Sequence, residues 1–164
     1  MGVEMGGVKG VGPASKKESD PLKNVEGKKI RKSQLDGLKE LASSNNISLK
    51  EILKKAKVEK GFVTSLDLSW ENIYDIRALA KLTNLKELDL SLTKASEVNT
   101  LAKLINLEEL DLTRTLVHDI SALTKLPKLR YLNVAGTSIT NSQLQAFKKS
   151  RAERRLPPVL ILRK

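Results

Sequence analysis

"VTSLDLS" at 63–69, "LKELDLS" at 85–91, "LEELDLT" at 107–113 and "LRYLNVA" at 129–135 are one seven-residue phrase, repeated every 22 residues. Val63, Leu85, Leu107 and Leu129 fill its first slot, and Leu66, Leu88, Leu110 and Leu132 its fourth. Leu68, Leu90, Leu112 and Val134 fill the sixth. A fixed period of this length marks a repeat array, in which no unit can bury its own apolar stripe and stacking makes the core. The rest of each unit keeps the phase. Slot 11 holds Ile73, Ala95, Val117 and Ile139, and slot 14 holds Ile76, Val98 and Ile120. Slot 17 holds Leu79, Leu101 and Leu123, and slot 20 holds Leu82, Leu104 and Leu126.

These phrases resemble the leucine-rich repeat (LRR) family, in particular the short 22-residue type of bacterial internalin-like proteins and of the eukaryotic regulator of type-one phosphatase. The resemblance implies an α/β solenoid, a right-handed coil with about five parallel strands, slots 4 and 6 pointing inward and slots 11 to 20 on the convex side. One slot departs from the family. Position 9, usually Asn, is Glu71, Thr93, Thr115 and Thr137. A threonine hydroxyl offers the turning backbone fewer donors and acceptors than an amide.

Ahead of the repeats, residues 1–29 are rich in Gly, Lys, Ser and Pro and predict a disordered basic leader. Residues 30–61 predict a helical cap for the first strand, which a solenoid must cover. In its first helix Ser33 is the expected N-cap with Asp36 at the capping-box spacing, and Leu35, Leu38, Leu41 and Ala42 share a face until "SSNN" at 43–46. In its second, Ser48 and Glu51 form a capping box, Ile47 and Ile52 a staple, and Ile52, Leu53 and Ala56 the buried face before Gly61. Residues 62–164 are the solenoid with an atypical closing unit. There Asn141 is the expected cap of a helix carrying Leu144 and Phe147, Pro157 and Pro158 end it, and "VLILR" at 159–163 predicts a last strand with Leu160 and Leu162 inward.

Composition removes several chemistries. The chain has no Cys, so disulfides, thiolate metal sites and thiol catalysis are out, and a reducing, cytoplasmic setting is the expectation. No apolar run reaches the roughly 20 residues that span a bilayer. The glycines near the start precede Pro13 rather than the Lys-Ser/Thr of a phosphate loop, and Gly6 stands where a myristoylation signal needs Ser or Thr. The net charge of +11 is uneven: residues 61–140 sum to −1 and each flank to +6.

Strand alternation turns slots 3, 5, 7 and 8 outward on the concave face. Slot 3 reads Ser65, Glu87, Glu109, Tyr131, and slot 5 reads Asp67, Asp89, Asp111, Asn133. Slot 7 reads Ser69, Ser91, Thr113, Ala135, and slot 8 reads Trp70, Leu92, Arg114, Gly136. Five carboxylates thus fall on strands about 4.8 Å apart, where mutual repulsion predicts raised pKa values. The expected function is a non-catalytic, monomeric protein-binding module. A basic partner segment docks on the acidic concave face, with Trp70, Leu92 and Tyr131 as anchors and Asn133 and Arg114 among the binding residues. The bland alternative is that Asp at slot 5 serves solubility alone.

No nucleophile stands beside a general base, His118 falls on a turn, and a flat ladder of carboxylates does not wrap a metal, so neither enzyme nor cofactor is expected. The runner-up is a nucleic-acid-associated protein. It would use a helix-turn-helix-like 33–60, with Lys54, Lys55, Lys57 and Lys60 on phosphates, and the basic cluster "KKSRAERR" at 148–155. A targeting module of a larger protein, such as a secreted effector or enzyme subunit, fits the same residues.

Overall fold

The computed structural model describes residues 20–163. The leader expected over 1–29 lies outside them as far as residue 19, and beyond that the chain departs from the expectation. Leu22–Val25 (β1) and Lys28–Arg31 (β2) form an antiparallel hairpin, so a boundary at residue 30 falls inside β2. Two features hold a segment with so little to bury. Ile30 is fully enclosed, and Asp20 accepts a bond from the Ser33 amide at 3.0 Å.

Asp20 also explains how Lys32–Asn45 (α1) starts. Ser33 is not its N-cap: Arg31 stands there with no side-chain cap, and Asp20 reaches in from outside the helix to take an orphan amide. The face Leu35, Leu38, Leu41, Ala42 is buried as the spacing predicts. Gly37 lies on it, where a Cβ would stand 3.0 Å from the Cβ of Lys81, so its hydrogen lets α1 rest closely on the first convex turn. Two buried amides fasten the contact. Gln34 donates to the Lys81 carbonyl (2.9 Å) and accepts from the Val63 amide (3.3 Å). Asn45 accepts from the amides of Tyr74 and Asp75 (2.8 and 2.9 Å) and donates to the Asp75 carbonyl (2.8 Å). Sequence reading took Asn45 for a helix terminator; in the structure it also joins cap to repeat.

Leu49–Lys54 (α2) is shorter than expected. Ser48 caps it by accepting from the Lys50 amide (3.2 Å), while Glu51 pairs with Lys54 (2.9 Å) instead of reaching back. Ala56 is not helical. It opens Ala56–Glu59 (β3), which turns through Lys60 and Gly61, both at positive φ, into Phe62–Asp67 (β4). That two-residue loop is the tight hairpin turn whose twist matches its strands. Within the helix-turn-helix-like span 33–60 both helices are present, but α2 has only six residues, and the segment that would lengthen it is β3 of a hairpin.

β3 and β4 begin a six-stranded sheet continued by Glu87–Asp89 (β5), Glu109–Asp111 (β6), Tyr131–Asn133 (β7) and Leu160–Leu162 (β8). Every pair from β4 to β8 is parallel. Opposite the strands run 3₁₀ turns at Arg77–Lys81, Asn99–Lys103 and Ser121–Lys125. The inward slots of both sides enclose one continuous core, in which Leu85, Leu107 and Leu129 are wholly buried. Each such leucine contributes about 2 kcal/mol over an exposed one. The slot-9 threonines serve the turns one by one. Thr93, Thr115 and Thr137 each donate to the slot-6 carbonyl three residues back, at 2.7 Å, and in the first and last the hydroxyl also accepts the slot-11 amide at 3.4 Å.

The closing unit differs most. Asn141–Glu153 (α3) is capped by Thr140 and Gln143 in a full capping box, one residue before the expected Asn141. On α3, Arg151 is 2% exposed and donates to the carbonyls of Leu126 (2.7 Å), Leu129 (3.1 Å) and Pro157 (3.0 Å). In the earlier units the carbonyls of Leu82 and Leu104 accept from the amides of Leu85 and Leu107, at 2.9 and 2.8 Å. Pro127 follows Leu126, that turn opens, and Arg151 takes the carbonyl instead. In β8 the expected phase is reversed: Leu132 pairs with Ile161, which turns inward, while Leu160 and Leu162 face solvent beside Tyr131 and Asn133. "VLILR" is apolar in both alternations, so period two could not choose; the register against β7 does.

Candidate docking face

The parallel register aligns the concave columns residue for residue. Ser65, Glu87, Glu109 and Tyr131 are successive neighbours, as are Asp67, Asp89, Asp111 and Asn133. Together Ser65, Asp67, Glu87, Asp89, Glu109, Asp111 and Tyr131 line a shallow depression of about 230 Å³ in the middle of the sheet.

Each slot-5 carboxylate has two faces. One oxygen is structural: Asp67, Asp89 and Asp111 accept from the amides of Ser69, Ser91 and Thr113 at 2.9, 2.7 and 2.7 Å. Asn133 does the same with an amide oxygen for Ala135 (3.1 Å), so the turn needs an acceptor and not a charge. The second oxygen points outward; at Asp111 it accepts from Asn133 at 3.0 Å. The aspartates thus serve the turns, a duty that neither the docking nor the solubility expectation for slot 5 included. For Asp67 the expected rise in pKa is reversed. Burial alone would raise it, but the hydrogen bonds from Ser69 and the nearby Lys55 outweigh burial and hold it below the ordinary value.

The slot-3 glutamates have no such duty. Glu87 is exposed, while Glu109 meets the guanidinium of Arg130 at 3.2 Å in a solvent-facing pair that contributes little. At the leading border, Lys57 of β3 lies opposite Ser65 and pairs with Glu59 at 3.2 Å. At the far border stand Leu160 and Leu162, 62% and 42% exposed, beside Tyr131. Sequence reading assigned those two leucines to the core and so missed them as surface residues.

The slot-8 residues form a separate row past the strand ends. Trp70, Leu92, Arg114 and Gly136 all adopt positive φ, and the amides of the first three bond the carbonyls of Ser91, Thr113 and Ala135 in the following unit. Gly136 has no side chain because a Cβ would stand 2.9 Å from Cγ of Arg114, which lies over it. Trp70 is 77% exposed, and Leu92 and Tyr131 are half-buried. The anchors expected from sequence are thus divided, Tyr131 on the sheet and Trp70 and Leu92 along its rim, where Arg114 also stands.

A family model described as leucine rich repeats, in two copies, matches residues 105–149. The structure is similar to an internalin from Listeria monocytogenes (29% identity, TM-score 0.50), over 62% of this chain and 29% of that one. It is also similar to internalin C2 of the same organism (29% identity, TM-score 0.51), over 64% and 45%. Residues 105–149 carry leucine-rich repeats, within a fold similar to that of the internalins. An LRR protein of Leptospira interrogans, 21% identical with a TM-score of 0.52 over 60% and 24%, shares the fold. The chain spans less than half the length of these solved LRR structures. No protein of curated function matches its sequence significantly. LRR arrays generally mediate protein–protein interaction, and no helix among the described residues is long and apolar enough to cross a membrane.

Of the basic residues behind the nucleic-acid alternative, Lys54, Lys55 and Lys57 pair with Glu51, Glu71 and Glu59 at 2.9, 2.7 and 3.2 Å. In the 148–155 cluster, Arg151 is spent inside the fold, leaving Lys148, Lys149, Arg154 and Arg155 at the surface.

Proposed function

We propose that this protein is a non-catalytic, monomeric interaction module that binds a basic partner segment on its concave face. The observation that carries the reading is the in-register pairing of Glu87 with Glu109 and of Asp67, Asp89 and Asp111 on three adjacent strands. Carboxylates about 4.8 Å apart repel one another, and a cationic partner relieves the repulsion. Slots 1, 4 and 6 pack the strand side of the core without Glu87 or Glu109, so these two charges cost the solenoid something that packing does not require. Cap 20–61 and solenoid 62–163 act as one platform, an assignment supported by the buried amides of Gln34 and Asn45 that join them. A cytoplasmic setting is part of the same proposal.

Neutralisation is a cleaner test than charge reversal, because Asn133 already shows that asparagine keeps the turn. The variant Glu87→Gln, Asp89→Asn, Glu109→Gln, Asp111→Asn is expected to keep its thermal midpoint and to bind a labelled lysine/arginine-rich peptide at least tenfold more weakly, on the order of 1.4 kcal/mol. Unchanged affinity in fluorescence anisotropy would sink the proposal. A titration against duplex DNA and RNA at low salt is the control for the surface cations of α3, because phosphate contacts are strongest there.

A further inference from the structure

The reversed phase of β8 makes the concave face bipartite. Acids occupy β4 to β6, Tyr131 and Asn133 occupy β7, and Leu160 and Leu162 stand exposed on β8. At the other border stands the ion pair of Lys57 and Glu59. We infer that the partner is an extended segment crossing the strands, with basic residues over β4–β6 and one or two large apolar residues, about four positions away, over Leu160, Leu162 and Tyr131. This rests on the concave-face reading proposed above and specifies its occupant.

The spacing follows from strand geometry. Four inter-strand steps of about 4.8 Å carry the face about 19 Å from β4 to β8, and an extended chain at about 3.3 Å per residue covers that in about six residues. From β5, the middle of the acids, to β8 is three steps, or about four residues. Charge complementarity sets the polarity across the face. A cation placed over β3 would meet Lys57 already paired with Glu59, and one placed over β8 would meet two leucines with no acid on that strand. An apolar side chain over β8 covers Leu160 and Leu162, which otherwise keep roughly half of their surface in water. The edge of β8 adds a directional element. Leu160 and Leu162 spend their amide and carbonyl on Arg130 and Val134 of the neighbouring chain segment, so the backbone of Ile161 faces away from β7.

Three labelled ten-residue peptides test this on the full chain, each made in both sequence directions. One has three basic residues and two leucines four positions on, the second has serines for the leucines, and the third has serines for the basic residues. The first is expected to bind roughly tenfold more tightly than the second, the effect of burying one to two leucines. Leu160→Ser with Leu162→Ser, exposed positions whose thermal midpoint should not move, is expected to erase that difference while leaving the second peptide's affinity unchanged. Equal binding of the first two peptides would overturn the bipartite partner and leave the acidic docking face standing. If neither basic peptide binds, both readings fall. Concentration-dependent self-association in sedimentation that Leu160→Ser and Leu162→Ser abolish would assign the apolar end to a second copy of the chain and likewise overturn the inference.

Discussion

At Trp70 an indole is held in left-handed backbone (φ 64°) and in water at once. Left-handed conformation costs a side-chain-bearing residue roughly 1–2 kcal/mol, and such outliers gather at functional positions. Gly136, at the same slot, adopts this conformation without that cost. Trp70→Gly is therefore expected to raise stability in urea by about 0.5–1 kcal/mol, net of the entropy glycine adds to the unfolded chain, and to weaken the basic-peptide complex. Destabilisation by more than about 1 kcal/mol would make Trp70 a packing residue rather than an anchor. The slot-8 column was legible in the sequence as a list of outward residues, but its conformation was not. Nothing in Trp, Leu or Arg announces positive φ, and only Gly136 hints at it. The slot-5 aspartates were legible as a charged ladder, yet their bonds to the slot-7 amides depend on a turn that must first be built.

Among elements, the solenoid strands were readable because a 22-residue period fixes phase independently of any single residue. The ends were not, because there the period stops. At the start, "KKAKVEKGFV" carries lysines compatible with helix or strand, and the tight turn at Lys60 and Gly61 decides for a hairpin. At the close, α3 was readable from Leu144 and Phe147, while its attachment was hidden in a basic cluster that looked solvated. Arg151 is the fastening: its guanidinium is enclosed, lies 5.7 Å from the Phe147 ring, and satisfies three carbonyls. Arg151→Met conserves much of the volume but leaves those acceptors without their donor, and is expected to cost about 3 kcal/mol. Urea denaturation reads the loss, and amide exchange should rise first in β8 and the turn at Leu126. A neutral result would mean that water reaches these carbonyls and that α3 is held by its apolar face alone.

At the scale of the molecule, the +11 charge is a property of the flanks, and the acids do two kinds of work. Those on the concave face form the ladder on which the proposed docking rests. Others cap backbone: hydrogen bonds from Ser33 to Asp20, from Arg77 to Asp75 and from Ser121 to Asp119 hold each carboxyl below its ordinary value of 3.8, as Ser69 and Lys55 do for Asp67 against its burial. A carboxyl whose pKa is lower folded than unfolded binds fewer protons in the native state, so it stabilises the fold above the unfolded value. That contribution is lost as pH falls through the folded one. Stability in urea is therefore expected to stay level from about pH 8 to pH 5 and to decline below about pH 4, steepened as the growing positive charge repels itself. A decline already present between pH 7 and pH 5 would show that these carboxylates do not govern the acid limb. Asp119→Asn separates capping from charge: the amide oxygen can still take the Ser121 amide, so the fold should survive at pH 7. The variant no longer titrates at residue 119, and its midpoint should fall less between pH 5 and pH 3 than that of the parent chain.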